Sequence, residues 1–316
     1  MSTTQFQDRG LLHQLFLLAD EMERNNKDHR LFQSLQGKVM ATLFYEPSTR
    51  TRFSFESAMH RLGGRVVTTE SATQFSSVTK GETLEDTIRI LGTYVDVIVL
   101  RHFEKGSAAR AAKISNVPVI NAGDGTGEHP TQSLLDMYTI YREKGNIDGL
   151  TITLMGDLLY GRTIHSLLNL LVVFDGIHVN LVSPKELALP EEYKKILSDH
   201  HVSFDEFERV DSVLDKTDVL YVTRVQKERF ASLEEYDRVK NCCIVDQNTL
   251  EKLPHDAIIM HPLPRVNEIA PAVDADPRAA YFRQAANGLY MRMALLELLF
   301  GRKSLHQKSL TAKVST

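Results

Sequence analysis

The chain has 316 residues, 25% of them charged, with a formal net charge of −4 at neutral pH. That length can bury two full cores, and the acidic balance gives no support to a nucleic-acid partner held by bulk charge. The two cysteines, Cys242 and Cys243, are adjacent; neighbours rarely bridge and two thiols cannot close a zinc cage, so a reducing, cytoplasmic compartment is expected.

The first predicted element is a helix over residues 10–35, where Leu11, Leu12, Leu15, Leu18 and Met22 keep a helical period. Strands are predicted at Lys38–Tyr45, Arg65–Thr69, Val95–Leu100 and Val117–Asn121. A second set falls at Leu150–Met155, His178–Val182, Val219–Thr223, Cys243–Val245 and Ala257–Met260, with helical patterns between the strands. Such alternation predicts an α/β fold of two domains, each a parallel sheet flanked by helices. The last strong helix, Gln284–Phe300, is expected to cross back to the first domain, and the polar stretch Arg302–Thr316 to fray. The expected domains are residues 1–131, completed by 286–316, and residues 132–285. No basic segment followed by an apolar one opens the chain, and no apolar run is long enough to span a bilayer, so neither export nor a membrane is expected, and an organellar form with its targeting peptide removed is the alternative to the cytoplasm.

Nearly every polar cluster follows a predicted strand, the end at which open α/β sheets bind ligands. The first is Ser48-Thr49-Arg50-Thr51-Arg52, at the start of a helical pattern through Phe55, Ala58, Met59 and Leu62. Helix first turns favour Asp and Glu because their N–H groups carry partial positive charge. Two arginines there are mutually unfavourable until an anion neutralises them, and with the backbone donors and three hydroxyls beside them they suit a phosphate; the alternative is a solvated helix end with Arg52 paired to Glu56. Ser48 is the expected N-cap. Ser76 and Lys80 lie on a polar loop ahead of a helix at Thr83–Thr93, and Arg101 and His102 follow the third strand.

Asn121–Gln132 is a Gly-rich loop that ends in a helix start at Pro130; His129 can offer a ring nitrogen to a carbonyl oxygen and Gln132 can bond an amide. No metal-ligand spacing is present, so no metal is expected. Gly156–Thr163 has the spacing of a phosphate-binding loop of nucleotide hydrolases, with Asp246 as a magnesium-holding strand end, but Arg162 stands where that loop needs Lys. Arg162 instead suits a carboxylate as a bidentate fork. Arg224 and Gln226 alternate after a strand and so point to one side of an extended loop. Pro262 and Pro264 stiffen His261–Arg265 into an expected extended turn.

Five runs resemble the aspartate carbamoyltransferases, in that family's order: Phe44–Arg52, Gly127–Gln132, Gly156–Thr163, Thr223–Arg229 and His261–Arg265. The similarity extends from about Leu35 to Gly301. The sister ornithine enzymes typically carry Cys where Pro262 stands here, and Thr223–Gln226 also falls on the aspartate side. The resemblance implies a transferase moving the carbamoyl group of carbamoyl phosphate to L-aspartate, early in pyrimidine biosynthesis, without a cofactor. An ornithine-using carbamoyltransferase is the near alternative. A phosphate-loop nucleotide hydrolase and a sensor that binds without turnover are the remote ones.

By the same resemblance, Ser48, Thr49, Arg50, Thr51 and Arg101 hold the phosphate, with Ser76 and Lys80 reaching in from a neighbouring subunit. Arg101, His129 and Thr51 contact the carbamoyl oxygen, and Gln132 with the Leu263 and Pro264 carbonyls holds its NH2. Arg162, Arg224 and Gln226, with Lys80 and Leu263, hold aspartate. The resemblance further implies a homotrimer with shared sites, and a separate regulatory chain or a nucleotide inhibitor is the regulation that the family admits.

Overall fold

The computed structural model describes residues 1–28, 32–72, 80–226, 230, 232–240 and 242–300. Among them, β1 (Val39–Phe44), β2 (Arg65–Glu70), β3 (Val97–His102) and β4 (Val119–Asp124) form one sheet, parallel throughout and ordered β2-β1-β3-β4. β5 (Thr151–Met155), β6 (His178–Val182), β7 (Ser203–Phe207), β8 (Val219–Val222) and β9 (Ile258–Met260) form another, again parallel, ordered β7-β6-β5-β8-β9. Strands β1, β3, β4, β5, β6, β8 and β9 are buried along nearly their whole length, as strands covered on both faces must be. Helices Thr49–Arg61, Leu84–Leu91 and Ser107–Ile114 link the first set, and Arg162–Leu171 and Glu191–Asp199 serve the second.

The chain divides into two compact units, Met1–Leu135 with the chain from Asn287 on, and Asp136–Ala286. In the first, Ala41, Leu43, Ile98 and Leu100 pack against Ile88, Ala108 and Ala111 of the covering helices. In the second, Met155, Leu220, Val222 and Ile259 of the sheet pack with Leu250, Ile269 and Tyr281. The helix Tyr281–Phe300 starts in the second unit and from Asn287 belongs to the first. There the Arg292 guanidinium lies 5.0 Å over the Phe55 ring, and Asn26 donates to the Tyr290 hydroxyl at 3.4 Å. The predicted class, two parallel sheets with helices and a returning last helix, is the one observed. No helix among the described residues is long and apolar enough to cross a membrane.

Three elements differ from expectation. The first helix covers Arg9–Lys27 rather than 10–35. Asn25, Asn26 and Asp28 are poor helix formers, and Leu35, though buried, hydrogen-bonds through its N–H to the Leu62 carbonyl at 2.9 Å. Cys243–Val245 is not a strand of the sheet: only Val245 makes a bridge, with Ile269. The next residue, Asp246, already caps helix Gln247–Lys252. The fifth strand of that sheet is instead β7, whose sequence Ser-Phe-Asp-Glu-Phe sits exposed at the edge and carries too little apolar signal to stand out. The expected frayed stretch 302–316 lies outside the described residues.

Candidate active-site residues

In the first unit β1, β3 and β4 are neighbours and parallel, so their C-terminal ends share one edge. Phe44 pairs with Arg101 and His102 with Asp124, and the Tyr45 N–H donates to the Arg101 carbonyl at 2.8 Å. The segments carrying Ser48–Thr51, Arg101 and His129 therefore leave the sheet side by side.

Helix Thr49–Arg61 begins after Ser48, as expected, but the Ser48 side chain makes no capping bond and the first turn holds no acid. Its N–H groups and positive dipole end are left for an outside anion. Thr51 is buried, while Thr49 and Arg50 are exposed. Among the described residues Arg50 makes no ion pair. Arg52 behaves otherwise: its guanidinium lies 2.6 Å from Glu70 and 3.6 Å from Glu56, so it braces the fold and leaves the anion cluster.

Arg101 donates to the Ala122 carbonyl at 3.1 Å and lies 3.6 Å from Glu46. His129 is 5% exposed; its Nδ1 is 3.5 Å from the Thr131 hydroxyl, and its carbonyl accepts from the Gln132 and Ser133 N–H groups at the start of helix Pro130–Lys144. Gln132 is buried on the first turn. Sequence reasoning missed Asp124, which joins these loops. One of its carboxylate oxygens accepts from the Glu128 N–H at 2.7 Å and the other from the Gly106 N–H at 2.9 Å. Beside it Gly125 has φ of 59°, and a Cβ there would lie 2.1 Å from the Phe103 carbonyl oxygen, an approach only glycine permits. The Asp124-Gly125 pair was the available signal. Lys80 is exposed near helix Leu84–Leu91 and is joined to no other described residue by a hydrogen bond or ion pair, whereas Ser76 lies outside the described residues.

In the second unit β5, β8 and β9 also end together. Buried Asp157, just past β5, ties the loop after that strand to the loop after β8. Its N–H donates to the Thr223 hydroxyl at 3.1 Å, one carboxylate oxygen accepts from the Tyr160 N–H at 2.9 Å, and the other faces the Gln226 N–H at 3.5 Å. The Tyr160 carbonyl then accepts from both the Arg162 N–H, at 2.9 Å, and the Gln226 side-chain amide, at 3.2 Å. Arg162 and Gln226 thus meet through one carbonyl, with Arg224, half-buried, two residues before Gln226.

The phosphate-loop alternative fails on the same bonds. Its backbone N–H groups must cradle phosphate, yet those of Asp157, Leu158, Tyr160 and Arg162 are already bonded within the unit. Asp246 is likewise engaged, accepting from the Thr249 N–H at 3.1 Å.

Leu263 and Pro264 follow β9. The expected extended turn is replaced by a left-handed Leu263, φ 48°, before a cis Pro264. A chain of buried side chains supports it. Tyr221 and Gln284 donate to the two oxygens of Asp136, at 2.8 and 2.6 Å, and the Gln284 carbonyl oxygen accepts from the His261 N–H at 2.8 Å. Burial, with Asp136 alongside, pushes the Tyr221 hydroxyl well above its ordinary value, which keeps it a donor. The Leu263 N–H donates to His261 Nδ1 at 2.8 Å, so the ring proton sits on Nε2, 2.7 Å from Glu268. The other Glu268 oxygen accepts from the Val266 and Asn267 N–H groups, each at 3.0 Å.

Burial pushes the Glu268 carboxyl up, but the His261 ring and the backbone donors outweigh it and hold the group below the ordinary range. A depressed folded value gives stability that is complete above the unfolded value, about 4.3 for Glu, and is lost as pH falls through the folded one. Glu268→Gln is therefore expected to melt earlier at neutral pH and to lose part of the decline in melting temperature below about pH 4.3. An unchanged acid limb in thermal melts followed against pH would contradict this account of the His261–Glu268 pair.

Two family models cover the chain. "Aspartate/ornithine carbamoyltransferase, carbamoyl-P binding domain" matches residues 1–142, and "Aspartate/ornithine carbamoyltransferase, Asp/Orn binding domain" matches residues 148–299. The chain is 54% identical over 293 residues to the chloroplastic aspartate carbamoyltransferase of Arabidopsis thaliana, covering 92% of this chain and 75% of that one. It is 53% identical over 290 residues to the aspartate carbamoyltransferase catalytic subunit of Thermoplasma acidophilum, covering 92% and 94%. The crystal structure of aspartate transcarbamoylase from Trypanosoma cruzi in complex with carbamoyl aspartate and phosphate matches with a TM-score of 0.86 at 44% identity, covering 94% and 93%. The chain belongs to the aspartate/ornithine carbamoyltransferase family.

Proposed function

We propose that the chain transfers the carbamoyl group of carbamoyl phosphate to the amine of L-aspartate, giving N-carbamoyl-L-aspartate and phosphate, an early step of de novo pyrimidine synthesis. The observation that carries this is Arg50, an exposed cation without an ion-pair partner among the described residues, in the uncapped, acid-free first turn of helix Thr49–Arg61. That arrangement suits a phosphate dianion, and it lies in the unit matched by the carbamoyl-phosphate-binding model. The relatives' names support aspartate as the second substrate.

In this reading Ser48, Thr49, Arg50, Thr51 and Arg101 bind the phosphoryl group, and Thr51, Arg101 and His129 donate to the carbamoyl oxygen. Gln132 and the Leu263 and Pro264 carbonyls accept from the carbamoyl NH2. Arg162, Arg224 and Gln226 hold the aspartate carboxylates. The neutral amine attacks the carbamoyl carbon, and the tetrahedral oxyanion that develops meets donors already in place, the arrangement that lowers such barriers most. Phosphate takes up the amine proton as it departs and so leaves as the hydrogen phosphate dianion, matched to Arg50. Fixing two anionic substrates together supplies much of the rate, because their lost freedom is settled on binding.

Purified protein incubated with carbamoyl phosphate and either L-aspartate or L-ornithine, without added metal, tests the reading. Carbamoyl aspartate is expected, and no citrulline. Product with ornithine alone would overturn the second-substrate assignment, and no product with either would overturn the activity.

The proposal extends to a cytoplasmic homotrimer in which Ser76 and Lys80 complete a neighbouring subunit's site; a chloroplast is the compartment named for the Arabidopsis relative. A regulatory chain or a nucleotide inhibitor is the accompanying mode of control. Inactive Arg50→Ala and Lys80→Ala proteins, mixed under conditions of demonstrated subunit exchange, are then expected to regain activity. Mixed trimers that stay inactive would rule out the shared site.

A further inference from the structure

We propose that Cys242 and Cys243 form a dithiol site that a small disulfide, such as oxidised glutathione, closes reversibly to a vicinal disulfide, and that closure weakens aspartate binding through the loop at Gly156. The two sulfurs already lie 3.0 Å apart; a bond of about 2.05 Å requires them to approach by roughly 1 Å. Their environments differ in the way such chemistry needs. Cys242 is half-buried and open to a reagent, while Cys243 is buried among Met155, Val182, Val245 and Ile269.

The neighbouring Cys243 sulfur holds the Cys242 thiol below its ordinary range, and the pairing with Cys242, together with burial, pushes Cys243 up. Cys242 is therefore the attacking thiolate. It displaces one glutathione thiolate and forms a mixed disulfide. The Cys243 sulfur then attacks the Cys242 sulfur and expels the second glutathione, whose departing thiolate takes up the Cys243 proton. Two protein thiols are oxidised and one small disulfide is reduced to two thiols. Adjacent Cα atoms are about 3.8 Å apart, short of the usual disulfide span of about 4.4–6.8 Å, so the bond is strained and readily reduced.

Neither thiol has a part in the proposed transfer. Yet Cys243 packs in one buried cluster with Met155 and Val182; Met155 directly precedes Gly156, whose N–H donates to the Val182 carbonyl at 3.1 Å, and Gly156 begins the loop that carries Asp157 and Arg162. That loop has little slack: Gly156 has φ of 119°, and a Cβ on it would lie 2.2 Å from the Thr223 carbonyl oxygen. Drawing the Cys243 sulfur towards Cys242 changes its packing on Met155 and Val182, the residues that hold the start of this segment.

The test is intact-mass measurement and thiol titration of the full chain after exposure to oxidised glutathione, with the aspartate KM measured in parallel. Loss of two hydrogens without an adduct is expected, with a several-fold rise in KM, both reversed by dithiothreitol. Cys243→Ser is expected to retain one glutathione adduct and Cys242→Ser none. Wild-type protein that keeps both thiols, or stops at a stable glutathione adduct, overturns the inference; so does a closed disulfide with unchanged KM. The KM arm rests on the proposed aspartate reaction, whereas the mass arm stands without it, so the two failures are distinguishable.

Discussion

Arg50→Ala is expected to lower turnover by ~10²–10³, the usual effect of deleting one preorganised donor to developing charge, while leaving the fold intact. The side chain is exposed and has no ion-pair partner among the described residues, so no buried group is stranded by its removal. The expected change in stability has the opposite sign to the change in activity. A cation at a helix N-terminus opposes the dipole by about 0.3–1 kcal/mol, so the ligand-free variant should melt at the same temperature as the parent or slightly above it. Phosphate, which should raise the parent's melting temperature by mass action, should do so much less in the variant. Steady-state kinetics and melts with and without phosphate read both effects. Turnover within a factor of a few of the parent would remove Arg50 from the phosphate site.

Asp157→Ala has the second large effect, by a different route. Asp157 is fully buried and touches no proposed substrate atom; it receives the Tyr160 N–H and faces that of Gln226. Removing it strands backbone donors at about 1–3 kcal/mol each and frees the carbonyl that links Arg162 to Gln226. A displacement that loses about 1.4 kcal/mol of binding raises the aspartate KM tenfold, and two carboxylate contacts are affected, so a rise on the order of 10²-fold is expected. The carbamoyl phosphate KM should change far less. Equal losses for both substrates, or a normal aspartate KM, would show that Asp157 does not position Arg162 and Gln226.

The sheets were legible in the sequence because apolar runs such as Ala41–Phe44 and Val97–Leu100 need no long-range information to be read as buried strands. Ser203–Phe207 was not legible, because an exposed edge strand is held by main-chain bonds to β6 and has little side-chain signature. Cys243–Val245 misled in the reverse direction: Cys243 and Val245 are buried, while the hydrogen bonds of Val245 go to Glu268 and Ala270. At the candidate site, Arg50, Arg101, His129 and Arg162 stood out by charge and by position after strands. What escaped were the residues that aim them. Asp124 and Asp157 act in part through hydrogen bonds to backbone 18 and 69 residues away, and no local pattern records such a bond. Arg52 shows the converse, since the Glu70 that claims it lies on a different element, β2.

The last helix has a consequence for how the protein is made. The first unit is assembled from Met1–Leu135 and the chain beyond Asn287, with the whole of Asp136–Ala286 translated in between. At about 5–20 residues per second, a ribosome takes on the order of 10–30 s to cross that insertion. During that interval Phe55 lacks the Arg292 that will cover its ring and Asn26 lacks Tyr290. The nascent first unit therefore waits with the Phe55 ring uncovered, while the second emerges as one uninterrupted stretch. Chaperone capture, aggregation and the outcome of early termination should all be decided around that ring.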